Sequence, residues 1–238
     1  MTVLYVFPHP DDESFGPGPA LARQHREGHA VHLLTLTEGG ATAQRHRLGL
    51  SVEAMGAVRR KEMACVADVY GLASLTVLDL PDRGLADLDP RRIEGAVEER
   101  VRAVRPDVLV TYAVRGVSGH PDHLVSHAVV KRLFCRLRDE MEGAPRRLAL
   151  FTIADAEGDP DADRPVQLNR TPPEDLGAVV AFTEADRARA ARALDCYETY
   201  QQVIAAHDPL AEVEAGVPFV LFGEAHDEPL DDLFAALP

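Results

Sequence analysis

Apolar residues along the chain form two kinds of pattern, short continuous runs and longer stretches at helical spacing. The first run, Val3-Leu4-Tyr5-Val6-Phe7, has no polar alternation and is rich in β-branched and aromatic residues. That suits a strand buried on both faces, as in a parallel sheet under helices. Gly16-Pro17-Gly18-Pro19 leads into a helix over 20–25 that ends at Gly28, and Ala30 to Thr37 reads as a second strand, completing one βαβ unit. Arg59 to Tyr70 carries Met63, Val66, Ala67 and Tyr70 at helical spacing and stops at Gly71. Leu75 to Leu80 follows as a strand, Arg91 to Val104 as a helix closed by Pro106, and Asp107 to Tyr112 as the fourth strand. This alternation predicts an α/β fold with a doubly wound, mostly parallel sheet between two helical layers.

Between these elements, Ala41 to Met55 is polar, basic and weakly periodic, and reads as a loop able to cover a crevice. Past the fourth strand, residues 113–119 form a loop and His120-Pro121-Asp122-His123 opens a helix through Val129, Leu133 and Leu137. Leu148 to Ile153 reads as a further strand, 156–173 as an exposed excursion rich in Asp, Pro and Arg, and Val179 to Phe182 as a short strand. Thr183-Glu184-Ala185-Asp186 resembles a capping box before a long helix through Tyr200, and Val217 to Phe222 is a last apolar run. With 238 residues, one domain over 1–238 suffices to bury the core.

Charge narrows the partners. Lys plus Arg is 25 and Asp plus Glu is 39, a formal net charge of −14. Such a surface repels phosphate backbones and anionic headgroups, so no nucleic acid and no membrane is expected as a partner. Cys65, Cys135 and Cys196 lie far apart in apolar helical patterns and read as three buried thiols in a reducing compartment. The N-terminus lacks a basic region, and its apolar run stops at Pro8. The expected location is cytoplasmic.

Candidate chemistry sits at two strand ends. His9-Pro-Asp-Asp-Glu13 follows the first strand directly, and His120-Pro-Asp-His123 follows the fourth within a few residues. In open α/β sheets the ligand crevice lies beyond the carboxyl ends of the strands. Nitrogen and hard oxygen donors there suit Zn²⁺ or a related divalent ion. The competing reading is a pair of polar turns that cap the following helices. His120 and His123 are three apart, and His123 and His127 four apart, so either pair could share a helix face. His127 reads as a histidine packed on the inner face.

The two motifs, with Arg60-Lys-Glu, Leu80-Pro-Asp-Arg-Gly-Leu and Arg105-Pro-Asp-Val beside them, resemble the LmbE/PIG-L family of zinc-dependent de-N-acetylases. The resemblance implies a Rossmann-like fold in which His9, Asp12 and His123 bind one Zn²⁺ and leave a position for water and the substrate carbonyl. It also implies that Asp11 is the general base and that His120, held by Asp122, stabilises the oxyanion. The reaction implied is removal of an N-acetyl or other N-acyl group from an N-acetylglucosaminyl compound or related acylated amine, such as a glycoside precursor of a low-molecular-weight thiol. The chain departs from the family at Pro8, at Gly18-Pro19, at Gly116-Val-Ser-Gly and at Tyr197-Glu-Thr-Tyr-Gln, which replaces the usual His-x-Ser-Gln.

Two other classes compete. A nucleotide-binding module would treat the His and Asp clusters as incidental, but no G-x-G-x-x-G follows the first strand. A phosphoesterase would require a two-metal clamp where one site is evident. The sequence leaves the subunit number open, a homo-oligomer included.

Overall fold

The buried, non-alternating run at the N-terminus forms the centre of the molecule. In a computed structural model that describes residues 1–155 and 167–237, Thr2–Phe7 (β1) pairs in parallel with Ala30–Thr37 (β2) on one side and with Val108–Tyr112 (β4) on the other. Ser74–Leu80 (β3) lies outside β2, and Arg147–Phe151 (β5) outside β4. Val217–Leu221 (β9) and Ala178–Val180 (β8) add two antiparallel strands at that edge. The order of the seven-stranded sheet is β3-β2-β1-β4-β5-β9-β8. Ile153–Ala154 (β6) and Arg170–Thr171 (β7) form a separate two-residue pairing.

Alternate residues of β1 enter opposite cores, which explains why the run shows no polar face. Val3, Tyr5 and Phe7 join one cluster with side chains from Gly18–Arg26 (α1), Val52–Tyr70 (α3) and Glu184–Asp195 (α6). Leu4 and Val6 join another with Pro90–Val104 (α4) and Pro121–Glu140 (α5). Full burial of each such side chain contributes about 1.5–3 kcal/mol. The result is the expected three-layer α/β/α arrangement.

Several local expectations are corrected. The stretch 41–55 is only partly a loop: Gln44–Leu48 is a short helix (α2), and Ser51 caps α3 by accepting from the Ala54 N–H at 3.1 Å. The capping box at Thr183 and Asp186 forms, but α6 stops at Asp195 instead of running to Tyr200. The chain turns there because Tyr197 dives into the core, and a separate helix, Gln201–His207 (α7), follows. Of the excursion at 156–173, residues 156–166 lie outside the described residues.

The cysteine reading is also corrected. Cys65 in α3 and Cys196 after α6 form a disulfide, and Cys135 alone is a free thiol. Two cysteines 131 residues apart carry no local signature of pairing. Disulfides persist in oxidising surroundings, so the cysteines no longer support a reducing compartment. No helix among the described residues is long and apolar enough to cross a membrane.

Candidate active site

The strand order reverses between β1 and β4, and the crevice beyond their carboxyl ends is where a doubly wound sheet binds ligands. The His9 turn leaves β1 into that crevice, and the loop after β4 brings the first turn of α5 opposite it. The His9 turn is not a helix cap: α1 begins later, at Gly18, with Pro17 before it and no side-chain cap. His120 does cap α5, its Nδ1 accepting from the Asp122 N–H at 3.1 Å.

The carboxylate of Asp12 is the meeting point. Its Oδ2 lies 3.4 Å from His9 Nδ1 and its Oδ1 3.3 Å from His123 Nε2. Tyr112 Oη donates to the same Oδ1 at 2.7 Å, and the His9 N–H donates to Oδ2 at 2.8 Å. His123 Nδ1 sits 2.9 Å from the Gly116 carbonyl, so it carries the proton and Nε2 offers a lone pair toward Asp12. Gly116 is required for that approach: its φ is +64°, and an added Cβ would lie 2.9 Å from His123 Cβ. Next to it Val117, at φ 56°, is a β-branched residue in the left-handed region, its carbonyl accepting from Asn169 N–H at 2.6 Å. Strain of that kind collects around functional sites.

His9 is oriented from behind. Its Nε2 lies 3.2 Å from Asp122 Oδ2 and 3.4 Å from Asp82 Oδ1, leaving Nδ1 on the Asp12 side. A carboxylate behind a ligating histidine fixes its tautomer and raises its basicity. The Asp122 carboxylate also accepts from the backbone N–H groups of Arg83 at 2.8 Å and Leu85 at 3.2 Å. Its carboxylate is therefore in direct contact with His9, while its bond to His120 is made by the backbone N–H.

The electrostatics favour a cation. Burial opposes protonation of His9, yet Asp12, Asp122 and Asp82 outweigh it and push its pKa up to about 10. Burial would raise Asp12, but His123 and His9 hold it well below the carboxylate range. Asp11 is pushed up to about 6 by burial, against the lowering effect of Arg59. Burial, followed by the neighbouring His9 and His123 imidazoles, lowers His120. Ring nitrogens of His9, His120 and His123 lie within 4.8 Å of one another. Two of these imidazoles, His9 and His123, also face the Asp12 carboxylate, and nitrogen and carboxylate donors of that kind suit a hydrolytic Zn²⁺.

Sequence reasoning missed Arg59. Its side chain is only 2 % exposed and pairs with Asp11 Oδ2 at 2.9 Å. It also donates to the carbonyls of Pro10 and Gly39 and to Tyr200 Oη at 3.1 Å, and it stacks 4.0 Å from the Tyr200 ring. A signal was present: Arg59 and Glu62 occupy helix positions in phase with Met63 and Val66, and buried charges signal a partner. Glu13 is fully buried, accepts from Ser14 Oγ and Tyr197 Oη, and is pushed up to about 7 by burial. His127 is buried and bonded to the Tyr112 carbonyl at 2.9 Å, on the inner face of α5 as expected.

A cavity of about 540 Å³ opens over the cluster, with Phe15, Val117, Ile153, Leu168 and Val203 giving it an apolar wall. Pockets of this size take small organic ligands held by a few convergent polar groups.

Comparisons with known proteins bear on the family and the fold. The family model described as PIG-L: GlcNAc-PI de-N-acetylase matches residues 4–134. The 1D-myo-inositol 2-acetamido-2-deoxy-alpha-D-glucopyranoside deacetylase of Kineococcus radiotolerans is 30% identical, over 94% of this chain and 76% of that protein. Other curated relatives are spanned over about half their length, 49% and 51% in two cases. Among solved structures, the A40926 pseudoaglycone deacetylase superposes with a TM-score of 0.69 at 21% identity, covering 94% of this chain and 98% of that one. The 4-carboxy-2-hydroxymuconate hydratase of Pseudomonas putida KT2440 does so at 0.67 with 17% identity, covering 96% and 99%. Those two likenesses establish the fold, and the hydratase is a reminder that a fold does not fix a reaction. The family match over more than half of the chain goes further, and it makes this protein a member of the PIG-L family of de-N-acetylases.

Proposed function

We propose that this chain is a Zn²⁺-dependent amidohydrolase that removes the acetyl group from a 2-acetamido-2-deoxyglucosyl compound, giving acetate and a free amine. The observation that carries the proposal is the convergence of His9 and His123 nitrogens on the Asp12 carboxylate at the floor of a cavity that Asp11 and His120 also line. His9, Asp12 and His123 would hold the ion. When bound, Zn²⁺ supplies Lewis acidity, polarising the substrate carbonyl and easing ionisation of water.

The remaining chemistry belongs to side chains. Asp11, with a pKa raised to about 6, is suited to accept a proton from the attacking water near neutral pH. Arg59 holds the other side of that carboxylate. His120 uses Nδ1 to cap α5, so its proton resides on Nε2, and a neutral donor there can stabilise the oxygen of the tetrahedral species. The proton taken by Asp11 then passes to the departing nitrogen as the C–N bond breaks.

The substrate class rests on the family and on the Kineococcus relative, whose name specifies a glucosaminide of myo-inositol. Residues 1–238 are read as one domain, because both helical layers pack on one sheet. The test is a panel of N-acetyl and longer N-acyl glucosamine conjugates, assayed for released primary amine with Zn²⁺, after chelation and after Zn²⁺ is restored. Metal-dependent amine release supports the proposal. A protein that binds these conjugates without ever releasing amine is a binding module instead.

A further inference from the structure

The residue assigned as base has an unusual backbone. Asp11 has φ 94°, a region that residues with side chains rarely enter. Its carbonyl accepts from the N–H groups of Ser14 at 2.8 Å and Phe15 at 2.9 Å, which closes the turn on one side. On the other side its own N–H donates to Tyr197 Oη at 2.9 Å, a contact spanning 186 residues. The same hydroxyl donates to Glu13 Oε1 at 2.6 Å. One phenol thus bridges the residues on either side of Asp12.

Tyr197 is fully buried and stands behind the turn, outside the cavity wall. It is held from α3. Cys196, its chain neighbour, is bonded to Cys65 in that helix, and the Glu62 carboxylate accepts from Thr199 N–H at 2.8 Å and Thr199 Oγ1 at 3.0 Å. Arg59, one turn earlier on α3, binds the Asp11 carboxylate itself. A single helix therefore fixes the base and the residue that sets the base's backbone.

We propose that Tyr197 is a positioning residue for catalysis: its hydroxyl keeps the Asp11 peptide in the left-handed turn that aims the carboxylate at the attacking water. The inference rests on the reading of Asp11 as general base. A buried N–H seeks a partner, and the left-handed conformer is intrinsically costly for aspartate. With the phenol in place the two requirements are met together. Without it the peptide relaxes toward another acceptor, and the carboxylate turns with it while Arg59 keeps it nearby. Misplacing a catalytic group by about 1 Å can cost on the order of 10²-fold in rate.

The test is Tyr197→Phe, which keeps the packed ring and removes only the hydroxyl. Amine release, Zn²⁺ content, thermal melting and amide hydrogen exchange at Asp11 are measured on the full-length Zn²⁺-loaded protein. The expected result is kcat lowered roughly 10- to 100-fold with KM changed less than about twofold, Zn²⁺ retained and Asp11 exchange accelerated. Unchanged kcat with only a lower melting temperature would make Tyr197 a packing residue and overturn the inference. If the variant does not fold, wild-type exchange decides: a slow Asp11 amide sustains the inference and a freely exchanging one overturns it. Should the wild type release no amine at all, the proposed function fails, whereas the exchange data still report on Tyr197.

Discussion

Nε2 of His9 lies 3.2 Å from Oδ2 of Asp122, joining the turn after β1 to the first turn of α5 across 113 residues. The contact leaves His9 Nδ1 facing Asp12, and under the proposed function Asp122 would be the outer partner of a ligating histidine. Loss of such a partner typically costs 10- to 100-fold in metal affinity. Asp122→Asn is accordingly expected to weaken Zn²⁺ binding by about that factor, measured by competition with a chromophoric chelator. Wild-type affinity combined with a large fall in kcat would instead return Asp122 to a role on His120.

His120 is expected to behave in the opposite way. His120→Ala should lower kcat about 10²-fold, as loss of an oxyanion donor does, with Zn²⁺ content unchanged. Elemental analysis of the purified variant separates the cases, since loss of metal would make His120 a ligand.

The disulfide sets a third expectation. Because Cys65 and Cys196 close a loop of 131 residues, breaking it should lower stability by about 2–5 kcal/mol. Cys65 is exposed, so a dithiol can reach the bond. Thermal melts with and without dithiothreitol provide the measurement, and coincident curves would contradict the expectation.

Much of this site was legible in the sequence because its two motifs are local. An unbroken apolar run followed at once by His9, and a second strand followed shortly by His120 and His123, placed both clusters at the carboxyl edge of one parallel sheet. The register of β1 against β4, with Tyr5 opposite Val110, then brings them together. What stayed hidden depends on contacts remote in sequence. Tyr197 reaches Asp11 across 186 residues, and in the sequence it was only a departure from a family pattern. Arg59 was read only as the start of a helix, although its phase with Met63 pointed inward. The end of α6 was missed because no glycine or proline marks it. The chain leaves the helix to bury Tyr197, a tertiary demand that helix propensity does not record.

Far from the cavity, Arg147 offers a prediction about pH. Its side chain is fully buried, pairs with Glu224 at 2.6 Å and donates to the carbonyls of Leu233, Ala235 and Ala236, so it fastens the end of the described chain to β5. Arg147→Met should destabilise the fold by about 3 kcal/mol, read from a denaturant titration. Burial would raise the Glu224 carboxyl, but Arg147 and His226 lower it below its ordinary 4.5. Because the folded pKa lies below the unfolded one, this pair's contribution is present above about pH 4.5 and fades as pH falls through the folded pKa. Glu224→Gln should therefore flatten the acid limb of the stability curve, and an unaltered limb would contradict the assignment.

The central claim is that adjacent carboxylates divide the work, Asp12 on the metal and Asp11 on the proton. Zn²⁺ content and amine release, measured side by side for Asp12→Ala and Asp11→Asn, test it most directly. Asp12→Ala should lose the metal. Asp11→Asn should keep about one Zn²⁺ per chain and lose roughly 10²- to 10⁴-fold in kcat, because the amide can still hydrogen-bond to water but cannot accept its proton. An Asp11→Asn protein that hydrolyses at the wild-type rate would contradict the account.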